Sequence, residues 1–526
     1  MRAAAIALLL AAPLVEGQTD SGAWRMYGRN SLGWRYSELT QIDAGNVARL
    51  TPRWIYQTGV GGGFETTPLV FDGLMFIAGP SNNSWALDAL TGRPVWHQKK
   101  TPPTRLNLCC GEVNRGFAVH GDRLFRVNIE GTLVALDVKS GAVLWETTLA
   151  DYKQGYSATG APLVVKNLVL TGIAGAEFGT RGFIDAYDVE TGKRAWRFHT
   201  VPADGEPGSD TWSGDSWRRG GGSTWITGTY DPELNLVFWG IGNPGPDMDG
   251  DVRRGDNLYS CSIVALDADT GTLKWHYQFT PHDVHDWDAI GDPVLVDVTL
   301  DGRKVKAVVQ ANRNGFFYAL DRTNGKVLKA KSYTKVTWAD GIGADGRPIL
   351  VPGQEPTEEG NDKVFPGVDG GANWMSHSYS PLTRLLYVFA REERRVFTKN
   401  DVPPPTTVQN EPPPGAAAFN RGRPPRFAPE ESYGKAIAVD PTTQTIKWEY
   451  KVVSPPWGGM MSTAGNVVFG GTVEGVIFAL NATTGERLWT FASNGAVYGS
   501  AISYLVDGKQ VVSIPAGDLL LTFGLD

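Results

Sequence analysis

Three cysteines occur in 526 residues, and two of them, Cys109 and Cys110, are adjacent. In an oxidising compartment neighbouring thiols can close an eight-membered disulfide ring, at a cost in backbone strain that is seldom kept without a use. Two reduced, buried thiols are the alternative reading. Cys261 opens an apolar, alternating strand and reads as a buried small hydrophobe. The second stretch with chemical content is Thr280-Pro-His-Asp-Val-His-Asp-Trp-Asp288. In an extended chain residues i and i+2 face the same way, so Asp286 and Asp288 can present both carboxylates to one ion. An added anionic ligand favours a trivalent over a divalent cation, because each charge strengthens Coulomb attraction in a poorly hydrated site. His282 and His285 raise zinc as an alternative, but no complete ligand set at zinc spacing accompanies them.

Such residues need a scaffold that brings distant loops together, and a repeat supplies one. Ala265-Leu-Asp-Ala-Asp-Thr-Gly-Thr-Leu-Lys-Trp275 recurs along the chain, with copies beginning at Ala86, Ala135, Ala186, Ala265, Ala319, Ala438 and Ala479. Most copies carry an Asp, a Gly four residues on and a Trp four after that. Asn481 replaces the last Asp, Gln444 replaces one Gly, and Lys329 stands where the fifth Trp is expected. Each copy reads as a strand end, a tight turn and the next strand. The Asp bonds back to its own turn, the Gly takes the φ > 0 position and the Trp offers an apolar slab to the next layer. Two intervals, Asp188 to Asp267 and Asp321 to Asp440, are long enough for two units. The weaker copies Tyr230–Trp239 and Tyr379–Tyr387 read as filling them. The expectation is an all-β fold, a single β-propeller with tryptophan-docking motifs, ahead of tandem β-domains because no linkers separate the repeats. Residues 24–58 and Ala496–Phe523 are expected to share one blade and close the ring.

Composition narrows the function classes. A net charge of -7 leaves no basic stripe for nucleic acid, although an acidic face can steer a basic protein partner. Met1-Arg2 followed by the apolar run Ala3 to Val15 is too short to span a bilayer and reads as a secretory signal, residues 1–17, leaving a mature domain at 18–526. No other stretch approaches the roughly 20 apolar residues of a membrane span. The expected location is the periplasm, where disulfides persist. Cys-x-x-Cys-His is missing, so a one-electron acceptor has to be another protein or a small molecule. Residues 401–431, with three proline clusters, read as an irregular insertion: a lid or docking loop, or simply a solvated excursion.

Cys109-Cys110-Gly-Glu-Val-Asn-Arg115-Gly resembles the signature of the pyrroloquinoline quinone (PQQ)-dependent alcohol dehydrogenases of the methanol and ethanol type, and the similarity runs over essentially the whole mature chain. The resemblance implies an eight-bladed propeller with PQQ at one end of its axis. It implies a Cys109–Cys110 ring stacked on one face of the quinone plane and the indole of Trp225 on the other. Glu65, Arg115, Thr159 and Arg313 match rim contacts, and Asn373, Trp457 and Gly458 match further cofactor-side positions. In Ala174-Gly-Ala-Glu177 the resemblance makes Glu177 a metal ligand, with Ala174, Gly175 and Ala176 beside the cofactor and Ala174 where the family often has Ser. Asn243, in Gly242-Asn243-Pro-Gly-Pro246, matches the amide ligand. Taken alone, Glu177 is a solvated turn carboxylate and Asn243 an Asn-Pro turn.

Asp286 aligns with the catalytic base beside the metal. Asp288 aligns with the additional carboxylate of the lanthanide-using members, so the ion is a lanthanide(III) or Ca²⁺. The reverse placement, with Asp288 as base, stays open. The implied activity is oxidation of a primary alcohol to an aldehyde, with electrons passing to a soluble cytochrome c. Two other classes fit the repeats: a propeller that only binds, similar to outer-membrane assembly scaffolds, and a quinoprotein sugar or polyol dehydrogenase. Cys109-Cys110, Glu177, Asn243 and Asp286 are what a scaffold has no reason to assemble.

Overall fold

The computed structural model describes residues 22–300, 302–399 and 432–526. The expected signal peptide and the proline-rich stretch 401–431 lie outside the described residues. Eight sheets, seven antiparallel of four strands and one of five in which Tyr36–Ser37 adds parallel to Met461–Thr463, stand around a common axis as an eight-bladed β-propeller. Burial grades outward through each blade. In the first, the inner strands Leu69–Phe71 and Leu74–Ala78 are almost wholly buried, whereas the outermost, Pro94–Lys99, buries only Trp96. Apolar runs inside and alternation at the rim are what packing blade against blade requires.

The repeat performs the three tasks read from it. Oδ1 of Asp88 accepts from the backbone N–H of Thr91 at 2.8 Å, and Asn481, though an amide, accepts from Thr484 at 3.1 Å. Gly92, Gly141 and Gly271 have φ of 70°, 69° and 70°. Each Trp docks on the following blade: Trp96 Nε1 donates to Val138 O at 3.0 Å and Trp196 Nε1 to Ala268 O at 3.2 Å. The ring lies where the next blade's glycine leaves room, since a Cβ on Gly141 would stand 2.7 Å from Trp96 and one on Gly271 2.4 Å from Trp196. Two of the three exceptions in the repeat are therefore one event. Lys329 and Gln444 face each other across a single blade junction, where Gln444 Nε2 donates to Lys329 O at 3.0 Å. With no indole to accommodate, the glycine is not needed.

The intervals read as holding two units each hold one. Thr229–Asp231 and Leu236–Gly240 are the inner hairpin of the blade completed by Ser262–Asp267 and Leu273–Gln278, and Ser378–Ser380 with Leu385–Glu392 is the inner hairpin of the sixth blade. A turn followed by an apolar strand describes an inner hairpin as well as a whole repeat, which is why these segments read as extra copies. In the first interval the surplus lies in residues 200–228 and 241–261, between strands of that blade and its neighbour; in the second, residues 333–377 precede the inner hairpin. Ring closure is as expected: Thr51–Gln57 pairs antiparallel with Leu519–Gly524 as the outer strand of the eighth blade.

The residues before that strand do something further. Residues 22–37 run around the channel and bond to the inner strands of six blades. Gly22 O accepts from Leu505, Trp24 bridges Val70, Ser31 O accepts from Tyr230, Leu32 O from Leu295, Trp34 O from Tyr379 and Arg35 O from Ser462. Arg35, fully buried, donates to Thr67 Oγ1 at 3.0 Å and stands 3.8 Å from Asp292. The N-terminal segment thus fills the axis from below.

Candidate active site

Most side chains that converge on the axis come from the loops entering the innermost strands, whereas Glu177 and Arg313 come from loops between the second and third strands of their blades. Glu65 precedes Leu69–Phe71, Thr159 precedes Leu163–Val165, Trp225 precedes Thr229–Asp231 and Trp457 precedes Met461–Thr463, each by four residues. Arg115 comes three residues before its strand, and Trp374 and Tyr498 four before theirs. In the fifth blade the loop is longer, and Asp286 and Asp288 both reach the axis ahead of Val294–Leu300. Together these loops enclose a cavity of about 380 Å³, a size typical of small-molecule and cofactor sites.

One wall is the Cys109–Cys110 disulfide, closed between neighbours. Trp225 lines the same cavity, and its Nε1 donates to Asp288 Oδ2 at 2.9 Å. Trp457 stacks on Trp374 with centroids 5.9 Å apart and planes 15° apart, so two further indoles stand at the mouth. Arg115 pairs with Glu65 at 2.6 Å, donates to Thr159 Oγ1 at 2.8 Å and lies over the Trp225 ring at 4.8 Å. Burial pushes the Glu65 carboxyl upward, and Arg115 offsets part of that rise.

The acidic end is built around Arg313, whose Nη1 stands 3.1 Å from Asp288 and whose Nη2 stands 3.4 Å from Asp286. Burial alone would lower its pKa; the two carboxylates more than reverse this, and Arg313 stays charged. Burial raises the Asp286 carboxyl well above its ordinary range; Arg313 pulls it back, while Asp288 and Glu177 add to the rise. Asp288 is raised by burial and moderated by Arg313 and by the bonds from Asn243 and Trp225. The loop is not the extended strand that the i, i+2 argument assumed. Asp286 adopts φ 62°, and the turn is held by Asp283, whose carboxylate accepts from the N–H of His285 at 3.2 Å and of Trp287 at 3.0 Å. Loop shape, not strand periodicity, turns both carboxylates inward.

The predicted site residues come together with few exceptions. Ala174, Gly175, Glu177 and Asn373 also line the cavity. Gly175 has φ 120°, and a Cβ there would lie 2.3 Å from Gly155 O, so the backbone itself forms that wall. Ala176 is buried behind the wall, and Gly458 packs against Gly471 O and Val497 without lining the cavity. Asn243 is also outside the lining, but its backbone N–H donates to Asp288 Oδ1. His285 stacks on Trp287 at 4.2 Å and bonds to Gln354 O at 2.9 Å, and His282 bonds to Gly255 O at 2.7 Å; both imidazoles serve the fold. Cys261 is a buried free thiol. Sequence reasoning passed over Asp247, Asp369 and Tyr498. The last had a usable signal, its place four residues before an inner strand.

Among the described residues no three carboxylate, imidazole or thiolate groups close on one point. The oxygens of Glu177, Asp286 and Asp288 on the cavity lining, with Asn243 bonded behind Asp288, are of the hard kind that suits a cation completed by oxygens of a bound cofactor. Two buried donors, Nε of Arg115 and of Arg313, lack a hydrogen-bond partner. Unmatched guanidinium N–H groups in a disulfide- and indole-walled cavity fit a flat ligand that carries several carboxylates.

Fold and site together define a propeller enzyme with an axial cofactor cavity. The family model for the PQQ glucose/ethanol/alcohol dehydrogenase β-propeller domain matches residues 24–343 and 352–512. Quinoprotein alcohol dehydrogenase PedH of Pseudomonas putida is 38% identical over 516 residues, 93% of this chain and 85% of the relative. The crystal structure of quinohemoprotein alcohol dehydrogenase from Comamonas testosteroni superposes with a TM-score of 0.88 at 35% identity, covering 96% of this chain and 80% of that one. A europium-containing methanol dehydrogenase also superposes at 0.88, with 31% identity, covering 96% of this chain and 98% of that one. The chain belongs to the PQQ-dependent alcohol dehydrogenases, the quinoproteins that oxidise alcohols.

Proposed function

We propose that the protein oxidises primary alcohols to aldehydes in the periplasm, with PQQ and one hard cation in the axial cavity and a soluble cytochrome c as electron acceptor. What carries the reading is the convergence of Cys109–Cys110, Trp225, Glu177, Asp286 and Arg313, drawn from the loops of four blades, on one cavity. A propeller that only binds would have no use for that set. PQQ held there would supply the two-electron acceptor, and a cation held with it would supply Lewis acidity. The disulfide and the Trp225 indole hold the ring plane by dispersion and desolvation. Arg115, with Glu65 and Thr159 beside it, and Arg313 meet the carboxylates and quinone oxygens on the rim. Asp286 accepts the proton of the alcohol hydroxyl, with the Arg313 guanidinium next to it favouring the carboxylate against the rise that burial imposes. Asp288 adds negative charge beside the cation and favours a lanthanide(III) over Ca²⁺, in keeping with the europium in a structural relative.

Reconstitution of the metal-free protein with PQQ and either Ca²⁺ or La³⁺, followed by dye reduction across a set of alcohols, tests the reading. Activity with primary alcohols is expected, higher with La³⁺. Failure to bind PQQ with either metal overturns it. Asp288→Ala is expected to depress La³⁺-supported turnover more than Ca²⁺-supported turnover, and an equal effect on both removes the lanthanide assignment.

A further inference from the structure

Asn243 is the one neutral side chain among the proposed cation ligands, and an amide is a ligand only if its oxygen, not its NH₂, faces the ion. Its Nδ2 carries two hydrogens, and both are taken. One goes to Pro244 O at 3.1 Å and the other to Oδ1 of Asp247. With the NH₂ end fixed on that side, Oδ1 is the end left to face the other way. Asp247 is itself buried, 5% exposed, in a loop that carries no repeat motif.

The backbone around this pair is pinned. Arg253, fully buried, donates through Nε to Pro246 O at 3.0 Å and through Nη2 to both Asp247 O at 3.2 Å and Asp283 O at 2.6 Å. One guanidinium therefore ties the loop bearing Asn243 to the loop whose Asp283 holds the turn of Asp286. The two loops cannot drift apart without breaking charged, buried hydrogen bonds, each worth more than a neutral one. Partners behind metal ligands commonly set ligand orientation, and losing one costs metal affinity.

We propose that Asp247 is a positioning residue for the cation site. By accepting from the amide of Asn243 it turns that side chain oxygen-first toward the ion, and Arg253 holds the loop in which it does so. The inference rests on the cation reading above, which assigns Asn243 as a ligand. It concerns a hydrogen bond and not a charge: an Asn at position 247 still offers an acceptor oxygen, whereas a Leu does not.

The test is calorimetric titration of metal-depleted, PQQ-loaded protein with La³⁺ and with Ca²⁺. Asp247→Leu is expected to weaken both ions by about 10–100-fold. Asp247→Asn, which leaves the side chain's shape nearly unchanged and keeps an acceptor oxygen, is expected to stay within about threefold of the unmodified protein, well short of that loss. In an Asn243→Asp background, where the ligand presents oxygen whichever way it turns, Asp247→Leu is expected to cost nothing further. The proposal is overturned if Asp247→Asn loses as much as the Leu range, or if Asp247→Leu binds like the unmodified protein or loses as much in the Asn243→Asp background. If the unmodified protein takes up neither ion, the cation reading itself falls, an outcome distinct from those three.

Discussion

Asp286 is held between a cation and other anions, and both sides of that balance bear on its work. Arg313 at 3.4 Å favours the ionised form that can take a proton, while burial and the carboxylates of Asp288 and Glu177 oppose it. Asp286→Asn keeps the shape and loses the base. It is expected to bind PQQ normally and to turn over roughly 10²–10⁴ times more slowly, measured as kcat beside PQQ absorbance titration. Asp292, below the cavity, offers a second residue-level test. Burial raises its pKa to about 6, with Arg35 working against the rise. A raised carboxyl favours the folded state most while protonated. Its contribution is therefore full below the unfolded value near 4 and is lost as pH rises through about 6, on the order of 3 kcal/mol. Denaturation midpoints of Asp292→Asn followed from pH 4 to 7 are expected to lack that fall. An unchanged pH profile would count against the assignment.

At the scale of the element, the blade junctions rest on an indole, a carbonyl and a glycine, and one junction dispenses with the indole and the glycine. Because Lys329 and Gln444 face each other, Lys329→Trp alone meets a side chain where the ring must lie, and Gln444→Gly alone opens a gap. Together they rebuild a dock. The double variant is expected to be more stable than either single change by about 1–2 kcal/mol beyond additivity, read from a double-mutant cycle in denaturant. Gly271→Ala, at φ 70° and with Trp196 2.4 Å from the new Cβ, is expected to be destabilising by several kcal/mol, on the order of 3. The roles of Asp, Gly and Trp were legible because each is local, written within nine residues of chain. The blade boundaries were less so, since the hairpin Tyr230–Trp239 carries the same local pattern as a repeat and differs only in what it pairs with. Most of the site was readable through its motifs. Asp247 and Arg253 were not, because they act between loops 30 residues apart, as in the bond from Arg253 to Asp283, and no spacing within either loop announces the contact.

For the molecule as a whole, closure depends on a strand from near the start of the chain. Thr51–Gln57 completes the last blade, and Trp54 from that strand lies where Gly92 of the first blade leaves room, while Ala89 O, the carbonyl that takes the indole N–H at a docked junction, accepts from the Tyr504 hydroxyl at 3.2 Å. Trp54→Ala is expected to lower the unfolding midpoint while fluorescence and circular dichroism still report one shared transition, because a ring gives no blade a separate boundary. Early loss of one signal would show that the seam opens alone. Inside the ring, residues 22–37 stand across the channel beneath the cavity. The pocket is for that reason a cul-de-sac. Alcohol and aldehyde share one doorway and must take turns in it; with the aldehyde gone before the acceptor takes its electrons, initial-rate plots at several fixed acceptor levels should run as parallel lines.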